Sequence, residues 1–372
     1  MADRPRPKTF DVSSRQVQRP ARLGARIMGL KDEILEQPRV LDRLVRSQRE
    51  RVDEMAKTIR GRGVESVFLA ARGSSDNAGL YAKYLFGSLN RLPVSLAAPS
   101  LFTAYKTPPK LMRQLVLGIS QSGQSPDIVS VVEEGRRQGA LTLAITNDPD
   151  SPLAEQAELV LDTVAGPENA IAATKTYTTQ LLSIALLAAS IHGDASLFDD
   201  LDRVSALVEE TLGLDQAIET AAQRYRYMSQ CVVLGRGYNY ATAYEWSLKL
   251  KELAYIVAEP YSSADFQHGP VAIVSHGFPV LAVAPRGAVF EDLMQLLTKL
   301  TREHQAELLV LSNDPQAFEL AQTPLELPAD LPEWLSPLVG IVPAQLFCYY
   351  LTRAMGYDTE SPRQLSKFTR TW

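Results

Sequence analysis

The sequence predicts an α/β protein built from two tandem three-layer α/β/α domains with parallel sheets, the product of an internal duplication. Three observations carry this. Short apolar runs of strand length alternate with helical patterns, the order that covers a parallel sheet with helices on both faces. Turn motifs recur in order: Arg72-Gly73 returns as Arg236-Gly237, and Asn147-Asp148-Pro149 as Asn313-Asp314-Pro315, offset by 164 and 166 residues. Between them, the apolar run Leu115 to Ile119 that enters Ser120 is matched by Pro279 to Ala284, which enters Pro285-Arg286-Gly287.

Taken in order, Met1 to Arg22 is basic and polar with several prolines. It lacks the apolar core of a signal peptide or anchor and is expected to be a loose arm. Residues 23–205 are expected to hold N-terminal helices and the first domain, 206–358 the second domain, and 359–372 a tail. Helical spacing runs from Ile27 to Arg60 with an interruption at Pro38. Val64 to Ala71 is a strand, followed by a helix from about Asn77 to Leu89 and a strand at Val94 to Ala97. Leu141 to Thr146 and Leu159 to Thr163 are strands, and Thr174 to Ile191 is a long buried helix. Helices near Leu197 to Arg224 join the copies. Tyr227 to Leu234, Pro279 to Ala284 and Leu308 to Leu311 are the strands of the second, and Glu259 to Pro270 is a polar loop.

Composition limits the function. A chain of 372 residues can build two cores without staples. Its net charge of −5 gives no footprint for nucleic acid or an anionic membrane surface. The most apolar helical stretch, Leu181 to Ile191, is too short to span a bilayer. Cys231 and Cys348 form no metal or redox spacing, and the four histidines are scattered. A cytoplasmic, disulfide-free protein without a metal is expected.

The chemistry gathers at Leu115 to Asp127. A buried strand ends in Ser120-Gln121-Ser122-Gly123-Gln124-Ser125, and Pro126 then opens a helix. Ser125 is placed as N-cap and Pro126 at the first helical position, where a missing N–H costs nothing. Unpaired N–H groups and the positive end of the helix dipole favour an anion there. No Walker lysine follows, so the turn suits a phosphate monoester on a small molecule rather than a nucleotide. The second copy has Pro285-Arg286-Gly287 at this point, so the phosphate site is assigned to the first copy. Glu245, Lys249 and Glu252 share one helical face. Such a stripe is usually solvated, yet Trp246, Leu248, Leu250 and Leu253 make this helix apolar on several sides, which points to a lined cavity. A loop histidine, His268, and a tail lysine, Lys367, carry no signal alone.

Taken together, Gly73-Ser74-Ser75, Ser120-Gln121-Ser122-Gly123, Ala173-Thr174-Lys175, Leu248-Lys249-Leu250-Lys251-Glu252, His268-Gly269-Pro270 and Pro362-Arg363 with Leu365 and Lys367 resemble the sugar isomerase (SIS) family. The resemblance runs from about Met28 to the tail and is strongest to the isomerase half of glucosamine-6-phosphate synthases, without the glutaminase half. It implies that Ser74, Ser75, Ser120, Gln121, Ser122 and Ser125 hold a sugar phosphate, and that Ile171 and Ala173 line the sugar. It further implies that Glu252 moves a proton between C1 and C2, with Lys249 stabilising the enediolate or enolamine. His268 would assist ring opening, reaching a neighbouring subunit's site in a homodimer with shared active sites. Lys367 would meet the open-chain carbon as Schiff-base amine or proton shuttle. No metal or organic cofactor is implied. Gln267 stands where the synthases have lysine, Ala173 where they have serine, and Phe368 to Trp372 differs from their tail. The implied activity is deamination of glucosamine 6-phosphate to fructose 6-phosphate and ammonia. The alternatives are aldose–ketose isomerisation, deamination of another sugar phosphate, ammonia-dependent synthesis, or non-catalytic phosphosugar sensing.

Overall fold

The computed structural model describes residues 28–367. The expected N-terminal arm, and the tail beyond Lys367, lie outside the described residues. Two five-stranded sheets form the frame. The first contains β1 (Ser66–Ala70), β2 (Val94–Leu96), β3 (Gln114–Ser120), β4 (Leu141–Thr146) and β5 (Leu159–Asp162) in the order β2-β1-β3-β4-β5. The second contains β6 (Gln230–Gly235), β7 (Val257–Ser262), β8 (Pro279–Val283), β9 (Glu307–Ser312) and β10 (Thr323–Glu326) in the order β10-β9-β8-β6-β7. Every pairing is parallel. Numbered within each copy, the two orders are the same, 2-1-3-4-5, so the repeated turns belong to a repeated topology.

The turns also do the same work twice. Asn147 Nδ2 donates to the Gly166 carbonyl at 2.9 Å, and Asn313 Nδ2 to the Ala329 carbonyl at 3.3 Å. The Asp148 and Asp314 amides donate to Thr146 Oγ1 and Ser312 Oγ, at 3.2 and 3.0 Å. Each copy therefore ties its fourth strand to the segment after its fifth with one asparagine.

Three local expectations change. The helix after β1 is Ser74–Asn90 and starts three residues before the expected Asn77. Gly73, at φ 55 and ψ −131, turns the chain directly into it, a conformation open mainly to glycine. Residues 257–262 are a strand, although most of them fell in the expected polar loop, and β10 was not anticipated. Both are edge strands, and each contains a proline within it, Pro260 or Pro324, which an edge tolerates and the interior of a central strand does not. Leu181 to Ile191, expected to be the most apolar helical stretch and too short to span a bilayer, is not the candidate: among the described residues the apolar helix long enough to cross a membrane is Glu333–Ala354. It is 94% buried, as the core helix shared by the two halves. Trp246 and Tyr225 meet its Phe347 edge-on, at 5.9 and 5.7 Å between ring centroids. One continuous apolar cluster joins residues of both sheets through this helix, Lys175–His192 and Gln37–Gly61. Cys231 and Cys348 are free and buried in it.

The N-terminal helices act as a clasp. Pro38 lies in the first turn of Gln37–Gly61, which separates this helix from Leu30–Leu35. Glu33 accepts from the amides of Asn169 and Ala170, at 2.5 and 3.2 Å. Lys175, buried at the start of its helix, reaches Glu36 at 2.8 Å and Glu33 at 3.8 Å. Gln37 bonds Thr178 and Gln345. This clasp fixes the segment between β5 and Lys175. Replacing Lys175 with Met keeps the stem but leaves Glu33 buried without its cation. The expected loss is about 3–5 kcal/mol in urea denaturation. An unchanged midpoint would show that the clasp does not hold the fold.

Candidate active site

In a sheet of this order the chain leaves β1 toward one edge and β3 toward the other, opening a crevice beyond their carboxyl ends. The turn after β1 supplies Arg72, Gly73, Ser74 and Ser75 to it, and the turn after β3 supplies Ser120 to Ser122, Gln124 and Ser125. The same cleft, of about 470 Å³, is lined by Ile171, Ala173, Lys249, Glu252, Leu365, Ser366 and Lys367. Eleven of the twelve sequence-predicted site residues therefore converge on one cavity. His268 is the exception. It sits exposed in the turn after Ser263–Phe266 and does not line the cleft of its own chain.

Gly123 shapes the β3 turn. Its φ is +61, and a Cβ there would lie 2.0 Å from Ser151 Oγ. The Gly123 amide donates to Ser120 Oγ at 3.1 Å and the Gln124 amide to Ser122 Oγ at 3.3 Å, so both hydroxyls retain a proton to donate outward. Ser125 is the N-cap of Pro126–Arg137, as expected, but its side chain makes no cap bond and faces the cleft instead. Two helix N-termini, at Ser74 and Pro126, thus flank one hydroxyl-lined crevice. The matching crevice of the second sheet is filled from within. The Ala288 amide donates to Glu333 Oε2 at 2.9 Å, and a Cβ on Gly287 would lie 2.1 Å from Glu333 Cδ.

The opposite wall is a charged chain. Ser74 Oγ and Asn77 Nδ2 donate to Glu245 at 2.8 and 2.7 Å, across the two halves of the molecule. Glu245 lies 3.5 Å from Lys249 Nζ, which bonds Glu252 at 2.5 Å. Side-chain exposure is 0% for Glu245, 2% for Lys249 and 24% for Glu252, so the stripe is not a solvated face. Ser74 faces the cleft, but its hydroxyl is committed to Glu245. Burial works against the Lys249 charge, yet Glu245, Glu252 and Glu168 outweigh it and hold the ammonium above the ordinary lysine value. Lys249 is therefore a fixed cation rather than a base. Burial pushes the Glu245 carboxyl up, while Lys249 and Asn77 draw it back. After Lys249 the helix widens into a π turn, Leu250–Ala254, which ends at Tyr255 with φ 57. A π turn takes more residues per revolution, which turns Glu252 away from the buried stripe toward the cleft. Such turns recur at functional sites.

The tail closes the third side. Glu360 accepts from the Leu30 amide at 3.1 Å. The Arg363 guanidinium lies 4.4 Å from the Tyr255 ring and 5.0 Å from that of Tyr357. Lys367 Nζ then reaches Glu168 at 3.0 Å and the Ala170 carbonyl at 2.5 Å. Glu168, which no sequence pattern marked, is buried and also accepts from Thr174 and Thr176. The cleft thus contains a carboxylate beside a fixed ammonium, a second ammonium across from it, and a row of hydroxyls. This set can move a proton at a carbon, stabilise the anion formed and hold an anionic group at a distance.

Burial alone would raise the Glu168 carboxyl, but Lys367 and the Thr174 and Thr176 donors hold it below its ordinary 4.5. The unfolded chain then binds the extra proton first. The stabilisation is complete above pH 4.5 and is lost as pH falls below it. Glu168→Gln is expected to flatten the acid limb of the stability–pH curve, read as urea midpoints from about pH 6 to about pH 3. A limb as steep as that of the unmodified chain would contradict the pairing.

Known proteins share this architecture. The SIS domain matches twice, over residues 62–190 and 226–354. The isomerizing glutamine–fructose-6-phosphate aminotransferase of Thermus thermophilus is 34% identical over 348 residues, covering 90% of this chain and 57% of that protein. This chain therefore spans somewhat more than half the length of the curated relatives it matches. The C-terminal domain of the Francisella tularensis glucosamine-fructose-6-phosphate aminotransferase superposes with a TM-score of 0.82 at 27% identity, over 92% of this chain and 100% of that one. A glucosamine-6-phosphate deaminase from Thermotoga maritima shares the fold, with a TM-score of 0.74 at 22% identity over 92% of this chain and 99% of that one. With both sheets, both crevices and both SIS matches in register, the chain belongs to the SIS domain family.

Proposed function

We propose that this chain is a sugar-phosphate enzyme that deaminates glucosamine 6-phosphate to fructose 6-phosphate and ammonium. The observation that carries the proposal is the Lys249–Glu252 pair at 2.5 Å, facing the cleft that also holds the hydroxyl turn and Lys367. Ser75, Ser120, Gln121, Ser122 and Ser125 hold the phosphate at the helix N-termini. Ile171 and Ala173 line the sugar, whose reacting end lies toward the second half. In the open-chain form, Glu252 takes the proton from C2. Electrons move to the C1 oxygen, and the developing charge is held by Lys249. Return of the proton to C1 gives the 2-imino ketose. Water adds at C2, ammonia leaves, and fructose 6-phosphate remains. Lys367 serves the open-chain carbonyl as amine or proton carrier.

The Francisella tularensis aminotransferase is named for both sugars and the Thermus thermophilus one for fructose 6-phosphate. The direction proposed here needs only water as second reactant, and a protein of deaminase name shares the fold. His268 is exposed and away from its own chain's cleft, which fits a homodimer in which it completes the partner's site.

With glucosamine 6-phosphate as sole substrate, ammonium and fructose 6-phosphate are expected in equal amounts. Glu252→Gln should lower kcat by about 10²- to 10⁴-fold and leave sugar-phosphate binding in place. Retained turnover would remove Glu252 from the mechanism. Co-expressed Glu252→Gln and His268→Ala chains, each inactive alone, should recover activity in mixed dimers. No recovery would place His268 outside the shared site.

A further inference from the structure

We propose that Arg72 is a phosphate ligand of this site, its guanidinium held across the crevice by Asp127. The proposal rests on the sugar-phosphate reading of the cleft and adds a cation to what has so far been a row of hydroxyls and amides.

Arg72 lies two residues after the end of β1 and lines the cleft, with its side chain 50% exposed. Its Nε donates to Asp127 Oδ2 at 2.8 Å. Asp127 is buried in the first turn of Pro126–Arg137, two residues after Ser125. The bond therefore spans the β1 and β3 turns, the two lips of the crevice. Among the described residues it is the one side-chain hydrogen bond Arg72 makes. A guanidinium has five N–H donors in a planar fork, so the Nη groups remain available to an anion while Nε keeps the head in place. The other cations lining the cleft are committed elsewhere: Lys249 to Glu245 and Glu252, Lys367 to Glu168 and the Ala170 carbonyl.

The second copy supplies an independent comparison. Arg236 occupies the same place after β6 and pairs at 3.2 Å with Asp292, again in the first turn of the helix after the third strand of the sheet, Phe290–Arg302. The crevice of that copy receives a carboxylate of the chain itself, Glu333, on the Ala288 amide. The duplicated unit thus keeps an arginine tethered by a helix-first-turn aspartate beside a crevice that accepts an anion. In the first copy the anion must come from the ligand. A phosphate dianion fits the permanent charge and the fork of the guanidinium.

The test is binding of fructose 6-phosphate and of unphosphorylated fructose to the full chain by calorimetry, alongside steady-state kinetics on glucosamine 6-phosphate. Arg72→Ala is expected to weaken fructose 6-phosphate by about 10- to 100-fold and to raise KM likewise, with kcat changed less than about threefold. Arg72→Lys should fall between, because an ammonium keeps the charge but lacks the planar fork that lets Nε hold Asp127 while the Nη groups meet the phosphate. Circular dichroism and melting of the ligand-free variants report any folding defect. A purely structural arginine would lower the melting temperature and leave the affinity of the folded protein alone. Wild-type affinity for fructose 6-phosphate in both variants overturns the role of Arg72 and leaves the cleft assignment standing. If the unmodified chain does not distinguish fructose 6-phosphate from fructose, the cleft assignment falls, and the proposal with it.

Discussion

Lys249 can keep its charge while almost wholly buried because Glu245 and Glu252 lie 3.5 and 2.5 Å from its Nζ. An ammonium taken out of water costs several kcal/mol and must be matched by carboxylates that are themselves held. Glu245 is held by Ser74 and Asn77, from the helix that begins at the β1 turn of the other half. One of the two carboxylates that match Lys249 is thus fully held only when the two halves meet in one register. That register places Glu252 opposite the hydroxyl turn. Ion networks of this kind add little net stability, but they strongly disfavour arrangements that break them.

The duplication explains why only one crevice is open. Both sheets have the same order, the same asparagine ties and an arginine–aspartate pair at the same place. The copies diverge at the third-strand turn. Ser120 to Ser125 leaves a hydroxyl-lined hollow, whereas Gly287 lets the Glu333 carboxylate come so close that a methyl group would collide with it. The second copy contributes the helix Tyr240–Lys249 to the open crevice. That helix passes through a π turn and presents Lys249 and Glu252 to the hollow of the first copy. The clasp at Glu33 and the tail at Glu360, Arg363 and Lys367 then close the remaining sides.

Much of this was legible in the sequence because it is local or repeated. Strand and helix periods gave the layers, and recurring Arg-Gly and Asn-Asp-Pro turns gave the duplication. Serines between a buried strand and Pro126 marked an anion-accepting turn, since the chemistry of a helix N-terminus depends on a few consecutive residues. Other features were not legible. Edge strands β7 and β10 contain prolines and read as loop. Glu168 lies in no pattern, and the Arg72 of the repeated Arg-Gly turn gave no sign of its role, because their partners are Lys367, 199 residues away, and Asp127, 55 residues away. The π turn at Leu250–Ala254 leaves no mark in a 3.6-residue period.

The sequence by itself therefore determined the layers, the repeat, which copy keeps the hydroxyl turn, and the residue types of the site. These follow from backbone sterics and from the spacing of apolar side chains along a few turns. Only the tertiary structure decided that Ser74 serves Glu245, that the second crevice is closed by Glu333, and that the tail lysine rests on Glu168. It also decided that His268 stands away from its own cleft. Each of these depends on how charges and donors far apart in the chain are matched when water is excluded, and that matching exists only once the two halves and the tail have packed.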